Sequence, residues 1–256
     1  MRLMNMTPSK IQEYFNKSDL ALFCVGSIEN HGYHNPLGVD TLIPNRILEL
    51  VEEKSEVLIA PTLPYGSADA HLGFPGTISL GHDVLFSVVN RVVECLCMMG
   101  ARRILFINGH AGNLNSYEKV GLAWYKKGLL SANISWWTLL PSLNPEWKGG
   151  HGCMVETSAV MYIDPSLVDL SLARDMGWKN EMGDEFPSTH FRTVNFKGAE
   201  IEVNRPTKSA TDNGWVGPNS PSKSSAKFGE EILTAVSDYI VSFIEVFKRA
   251  KLPPLS

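Results

Sequence analysis

The chain is poor in the features that would place it in several large functional classes. Its four cysteines, at positions 24, 95, 97 and 153, include no CxxC pair, and a cytoplasmic location is the default expectation. Cys24 lies inside an apolar run and reads as a small hydrophobe. No excess of basic residues exists: the formal net charge is −4, which gives no electrostatic case for nucleic acid or an anionic membrane. No apolar stretch approaches the ~20 residues of a membrane-spanning helix. The opening MRLMNMTPSKIQEYF has neither a continuous apolar core nor a small-residue cleavage site, so no signal peptide is expected. A G-x-G-x-x-G fingerprint is missing after the first strand-like run, which argues against a Rossmann-type nucleotide binder. A G-x-S-x-G elbow is missing too, which argues against a Ser/His/Asp hydrolase.

What is present is ample apolar material, 44% of 256 residues against 20% charged, enough for a sizeable core and for a single domain over 1–256. Strand-like runs recur at 20–25 (LALFCV), 57–60 (VLIA), 104–107 (ILFI) and 133–140 (NISWWTLL). Between and after them, 41–53, 84–100, 113–128 and 230–250 carry apolar residues at three- and four-residue steps, as helices do. Strand–helix alternation predicts βαβ units and a mostly parallel sheet covered on both faces. Residues 176–229, rich in Gly, Pro and Ser, read as long functional loops plus an edge strand at FRTVNF.

In open α/β sheets ligands bind outside the carboxyl ends of the strands. Those are the places where this chain concentrates its histidines: 31, 71 and 110 follow strand-like runs directly, and 34 and 151 lie close behind, five of the seven in the chain. The first such loop, GSIENHGYHNPLGVD, holds Glu29, His31, His34 and Asp40. Glu29 and His31, two apart, face one side of an extended segment. Asp40 also suits the N-cap of the helix expected at 41–53, and Glu156 the start of another helix. Carboxylates and imidazoles without thiolates form a donor set for divalent metal, and a bridging Asp lets two ions share ligands.

Four segments in matching order resemble the creatininase (creatinine amidohydrolase) family: E29-N-H31-G-Y-H34-N-P-L-G-V-D40, H71-L-G-F-P-G-T, N108-G-H110-A-G-N113 and H151-G-C-M-V-E156-T157-S158. The resemblance implies a three-layer α/β/α sandwich, two divalent ions (Zn, Mn or Fe), a small-molecule substrate and a homo-oligomer, a hexamer in creatininase itself. By position it assigns Glu29, Asp40 and His110 to one ion, and His31 and Asp40 to the other, with Asp40 bridging. One departure is Gly112, where creatininase has a ligating Glu. Glu156 is taken as the replacement on chemical grounds. Another is Ala111, where creatininase has a substrate-touching Tyr. His71 and Trp147 are further substrate-side candidates, Trp147 equally as loop packing. His151 is the candidate proton carrier. The implied reaction is metal-assisted hydrolysis of a C–N bond in a small cyclic amide. Open alternatives are a deformylase, a peptidase-like enzyme, an inosose ring-opening hydrolase, or a metal-retaining binding protein without catalysis.

Overall fold

The computed structural model describes residues 1–254. In chain order it has helix α1 (Pro8–Phe15), strand β1 (Leu20–Val25), α2 (Val39–Glu52), β2 (Leu58–Ile59), α3 (Gly81–Met99), β3 (Arg103–Asn108), α4 (Leu114–Tyr125), β4 (Leu130–Ser135), α5 (Leu140–Leu143), α6 (Met154–Ile163), β5 (Ser188–His190), β6 (Thr193–Phe196), β7 (Ala199–Glu202), α7 (Thr207–Ala210) and α8 (Ala226–Phe247). Strands β2-β1-β3-β4 form one sheet in which every pair is parallel.

The side-chain alternation of β1 separates two cores. Leu20, Leu22 and Cys24 join a cluster with Ile43 and Ile47 of α2, Val155 and Ala159 of α6, and Ile232, Val236 and Ile240 of α8. Ala21, Phe23 and Val25 point the other way, toward Tyr14 of α1, Leu85, Val89 and Val93 of α3, and Tyr117 and Val120 of α4. The result is helices on both faces of a parallel sheet, the three-layer α/β/α arrangement.

Three local expectations need correction. The fourth strand is not 133–140: it covers Leu130–Ser135, and the chain then enters a 3-10 turn at Trp136–Leu139 and helix α5. A short apolar run does not distinguish strand from helix by periodicity, and WWTLL was such a run. Residues 176–229 add no edge strand to the parallel sheet. Strands β5, β6 and β7 form a separate antiparallel sheet, β6–β7 being a hairpin turned at Lys197 (φ 51°) and Gly198 (φ 88°). Helix α2 starts earlier than expected. Gly38 occupies the N-cap position and Asp40 lies within the first turn, so its carboxylate is not spent on capping.

Candidate metal centre

The register of the parallel sheet brings the donors together. Val25 of β1 pairs with Asn108 of β3, so the loops beginning at Gly26 and Gly109 leave the sheet side by side. Asn113 ties them: its amide donates to the carbonyls of Val25 (3.2 Å) and Gly26 (3.1 Å), and its Oδ1 accepts from the Ser67 N–H (3.1 Å) in the loop after β2. Gly109 is required by close approach, since a Cβ there would lie 1.9 Å from the Asp40 carbonyl oxygen. That carbonyl has no helical partner because Pro44, four residues on, has no N–H.

Glu29, His31, Asp40 and Glu156 are all buried, and His110 nearly so. His110 Nδ1 lies 3.1 Å from both Glu29 Oε1 and Asp40 Oδ2. Its other nitrogen, Nε2, sits 3.0 Å from the Ser67 carbonyl, to which it donates. Nδ1 therefore presents its lone pair to two carboxylate oxygens. Both of these oxygens are buried and without a hydrogen-bond donor. His31 repeats the arrangement: Nδ1 donates to the Glu29 carbonyl (3.2 Å), while Nε2 faces Asp40 Oδ1 (3.1 Å) and Glu156 Oε2 (3.8 Å). Asp40 thus turns one oxygen to each group. Three trios have donor atoms within 4.8 Å of one another: Glu29–Asp40–His110, His31–Asp40–Glu156 and Glu29–His31–His151. Acceptors converging in this way repel one another unless a proton or a cation sits among them, and the fixed tautomers leave the inward nitrogens free for ligation.

The electrostatics agree. Burial disfavours charge on His31, yet Asp40, then Glu156 and Glu29, push it up to about 10. Against the same penalty, Glu29 and Asp40 hold His110 well above the usual range. Burial raises Glu29, but the facing His110, His71 and His151 bring it well below the usual carboxylate range. Burial takes Glu156 up to about 7, opposed by His31 and reinforced by Asp40. The pocket attracts positive charge wherever the carboxylates face the imidazoles.

His151 and His71 complete the cluster. His151 stacks on His31 (4.0 Å between centroids) and on His71 (4.8 Å). Its Nε2 lies 2.7 Å from the Asn30 carbonyl and donates to it, leaving Nδ1 3.8 Å from Glu29 Oε1. His71 Nε2 is 3.9 Å from the same oxygen. His34 faces elsewhere: Nε2 donates to the Gly152 carbonyl (2.9 Å) beside Thr157 Oγ1 (3.1 Å), fastening the first loop to the start of α6. The Gly152 N–H in turn donates to Glu156 Oε2 at 2.6 Å.

The family model for creatininase (creatinine amidohydrolase) matches residues 4–244. The chain belongs to the creatininase family of hydrolases. It is similar to the creatinine amidohydrolase of Pseudomonas putida, 31% identical over 59% of this chain and 66% of that protein, so this match spans just under two thirds of the relative. A second relative is the 3-dehydro-scyllo-inosose hydrolase of Thermotoga maritima, 26% identical over 97% of this chain and 85% of that protein. A solved mutant creatininase of Zn-Zn type superposes with a TM-score of 0.76 at 26% identity, over 96% of this chain and 98% of that one.

Of the two departures from creatininase, the one at Gly112 has a physical reason. A Cβ at Gly112 would fall 2.1 Å from the Ser67 carbonyl, so a Glu does not fit there without moving the backbone. Ala111 is exposed in the 3-10 turn that follows His110. Trp147 is not where a substrate wall was expected: it is buried in the apolar core, edge-on to Phe228 of α8 at 6.3 Å. The aromatic ring that does meet the imidazoles is Phe191, from the antiparallel excursion, at 5.6 Å from His71 and 5.3 Å from His151. Sequence reading took Phe191 as the first residue of a strand-like run, FRTVNF, and nothing in that run signals contact with the imidazoles.

Proposed function

We propose that this protein is a dinuclear divalent-metal amidohydrolase that opens a C–N bond in a small cyclic amide. Glu29, Asp40 and His110 would hold one ion and His31, Asp40 and Glu156 the other. The observation that carries the reading is Asp40, whose two oxygens face separate imidazoles, together with the donor-less buried oxygens of Asp40 and Glu29. A Zn-Zn form among the solved creatininases supports it. Imidazole and carboxylate donors suit zinc or manganese.

When bound, such ions supply Lewis acidity and lower the pKa of water from about 15.7 towards 7. The chain's own residues orient and move protons. His151 is held by the Asn30 carbonyl with Nδ1 turned inward. Burial and the neighbouring His31 and His71 keep it neutral, its pKa well below the ordinary value. A neutral imidazole so placed takes a proton from the nucleophile and passes it to the leaving nitrogen. His71 lies beside it on the substrate side of the cluster. Cytoplasmic location and a homo-oligomer belong to the same reading. Among the described residues no helix is long and apolar enough to cross a membrane.

A second reading is favoured by the match along 97% of this chain to an inosose hydrolase: opening of a C–C or other ring bond in a sugar-derived ketone on the same metals. Metal-replete protein assayed against creatinine, hydantoins, formamides and inososes decides between them. Turnover of a cyclic amide is expected. Turnover of inososes alone overturns the first reading, and a metal content near zero with no gain on adding Zn or Mn overturns both.

A further inference from the structure

The excursion over 176–229 approaches the cluster at several points, Val216 bridging to the His151 backbone among them, and it sets one aromatic ring, Phe191, against the imidazoles. Phe191 sits in the turn between β5 and β6, 6% exposed. Its backbone carbonyl accepts from Arg205 Nε at 2.9 Å. The same guanidinium donates through Nη2 to Ser188 Oγ (3.0 Å), to the His190 carbonyl (3.2 Å) and to the Thr193 carbonyl (3.4 Å). One arginine thus clasps the whole turn, a use of its fixed fork of donors. Trp178 backs the Phe191 ring at 6.3 Å.

Besides its neighbour His190 (5.0 Å between centroids), the ring stands edge-on to His71 (interplanar 86°) and His151 (82°), the two imidazoles of the cluster that lie outside both trios sharing Asp40. Phe191 therefore meets the cluster through the two imidazoles not assigned to an ion, next to the group that would carry the proton, where a bound substrate would come against the ring. Beside it, His71 Nδ1 is buried with no hydrogen-bond partner. An apolar wall next to an unspent imidazole nitrogen is a recognition surface: the wall limits size and the nitrogen fixes orientation.

We infer that Phe191 is a specificity-determining residue, the apolar wall that confines the site to compact substrates. The inference rests on the dinuclear reading above. It is tested with zinc-loaded protein and two probes that differ only in bulk, acetohydroxamate and benzohydroxamate, whose affinities are measured by calorimetry alongside zinc content. Wild-type protein is expected to favour the small probe. In Phe191→Ala and in the milder Phe191→Leu the preference should shift toward the bulky probe by about tenfold or more, the scale on which a changed pocket wall discriminates. Phe191→Trp should shift it the other way, with zinc content unchanged in all. If the Leu variant keeps its zinc and both probes weaken equally, or neither changes, Phe191 is packing only and the inference is overturned while the metal reading stands. If wild-type protein holds no zinc, the metal reading falls and the inference with it.

Discussion

The parallel sheet and the antiparallel excursion differ in how they are held. Every residue of β1 and β3 is buried, whereas all four residues of β7 are exposed. The first is fixed by two apolar clusters pressing on its faces. The second depends on a tight hairpin and on the Arg205 clasp. The ionisable groups that need fixed mutual distances are attached to the first. The ring we assign to selectivity is attached to the second. The contrast teaches that chemistry and recognition are anchored to parts of different rigidity, so changes in one need not disturb the other.

The contrast breaks most completely at Asp40. Asp40→Ala should empty both sites and abolish turnover, because one carboxylate faces both imidazoles; elemental analysis beside the assay checks it, and full metal retention would remove the bridging role. His151→Ala should keep its metal and lose roughly 10²–10⁴-fold in kcat, the usual worth of a positioned acid–base group. Glu156→Ala should instead lose much of one ion. If the two variants behave the other way round, their roles are exchanged.

A steric test sharpens the comparison. Gly109→Ala in the body meets the Asp40 carbonyl and should cost roughly 2–3 kcal/mol in urea unfolding. Acidity gives a smaller, signed effect. In metal-free protein the raised values of His31 and His110, and that of Glu156 at about 7, mean that the folded state holds protons that the unfolded state has released. Their contribution is present at low pH. It is lost as pH rises, through about 7 for Glu156 and about 10 for His31. Ions compete with those same protons, so the rise in Tm on adding zinc should grow from about pH 5.5 to 8; a gain that shrinks over that range contradicts the ligand assignment. The smallest effect is expected in the excursion. Gly198→Ala has open space around its Cβ and a strained φ of 88°, and should cost only about 1 kcal/mol with metal content untouched.

The same contrast explains what could be read in advance. Strands β1 and β3 announce themselves as short apolar runs, and the residues after them fall at the carboxyl edge by the logic of any parallel sheet. The meeting of Glu29, His31 and His110 at that edge was legible for that reason. Asp40 was ambiguous between cap and free carboxylate until Gly38 took the capping position. Glu156 was ambiguous too, since any acid opening a helix looks alike in sequence. The strand at FRTVNF was legible, but its short antiparallel partners carry little apolar weight, so neither the separate sheet nor the place of Phe191 beside the imidazoles had a signal. Trp147 left two readings level, an aromatic wall or packing, and the structure places it in the apolar core against Phe228.

Helix α6, which carries Glu156, is seated by α8. The Ser225 N–H at the start of α8 donates to Ser158 Oγ (3.1 Å), and a Cβ at Gly229 would come within 2.0 Å of the Ser158 carbonyl. In order of synthesis, Glu29, Asp40 and His110 have all emerged once β3 and its loop are made. Glu156 waits for a helix that closes at Phe247. Helix α2, which carries Asp40, packs on α8 in the same apolar cluster, so the carboxylate assigned to both ions is also seated only when the last helix is made. On the dinuclear reading, chains stalled before α8 should take up little metal, and chains that include it should take up both ions together.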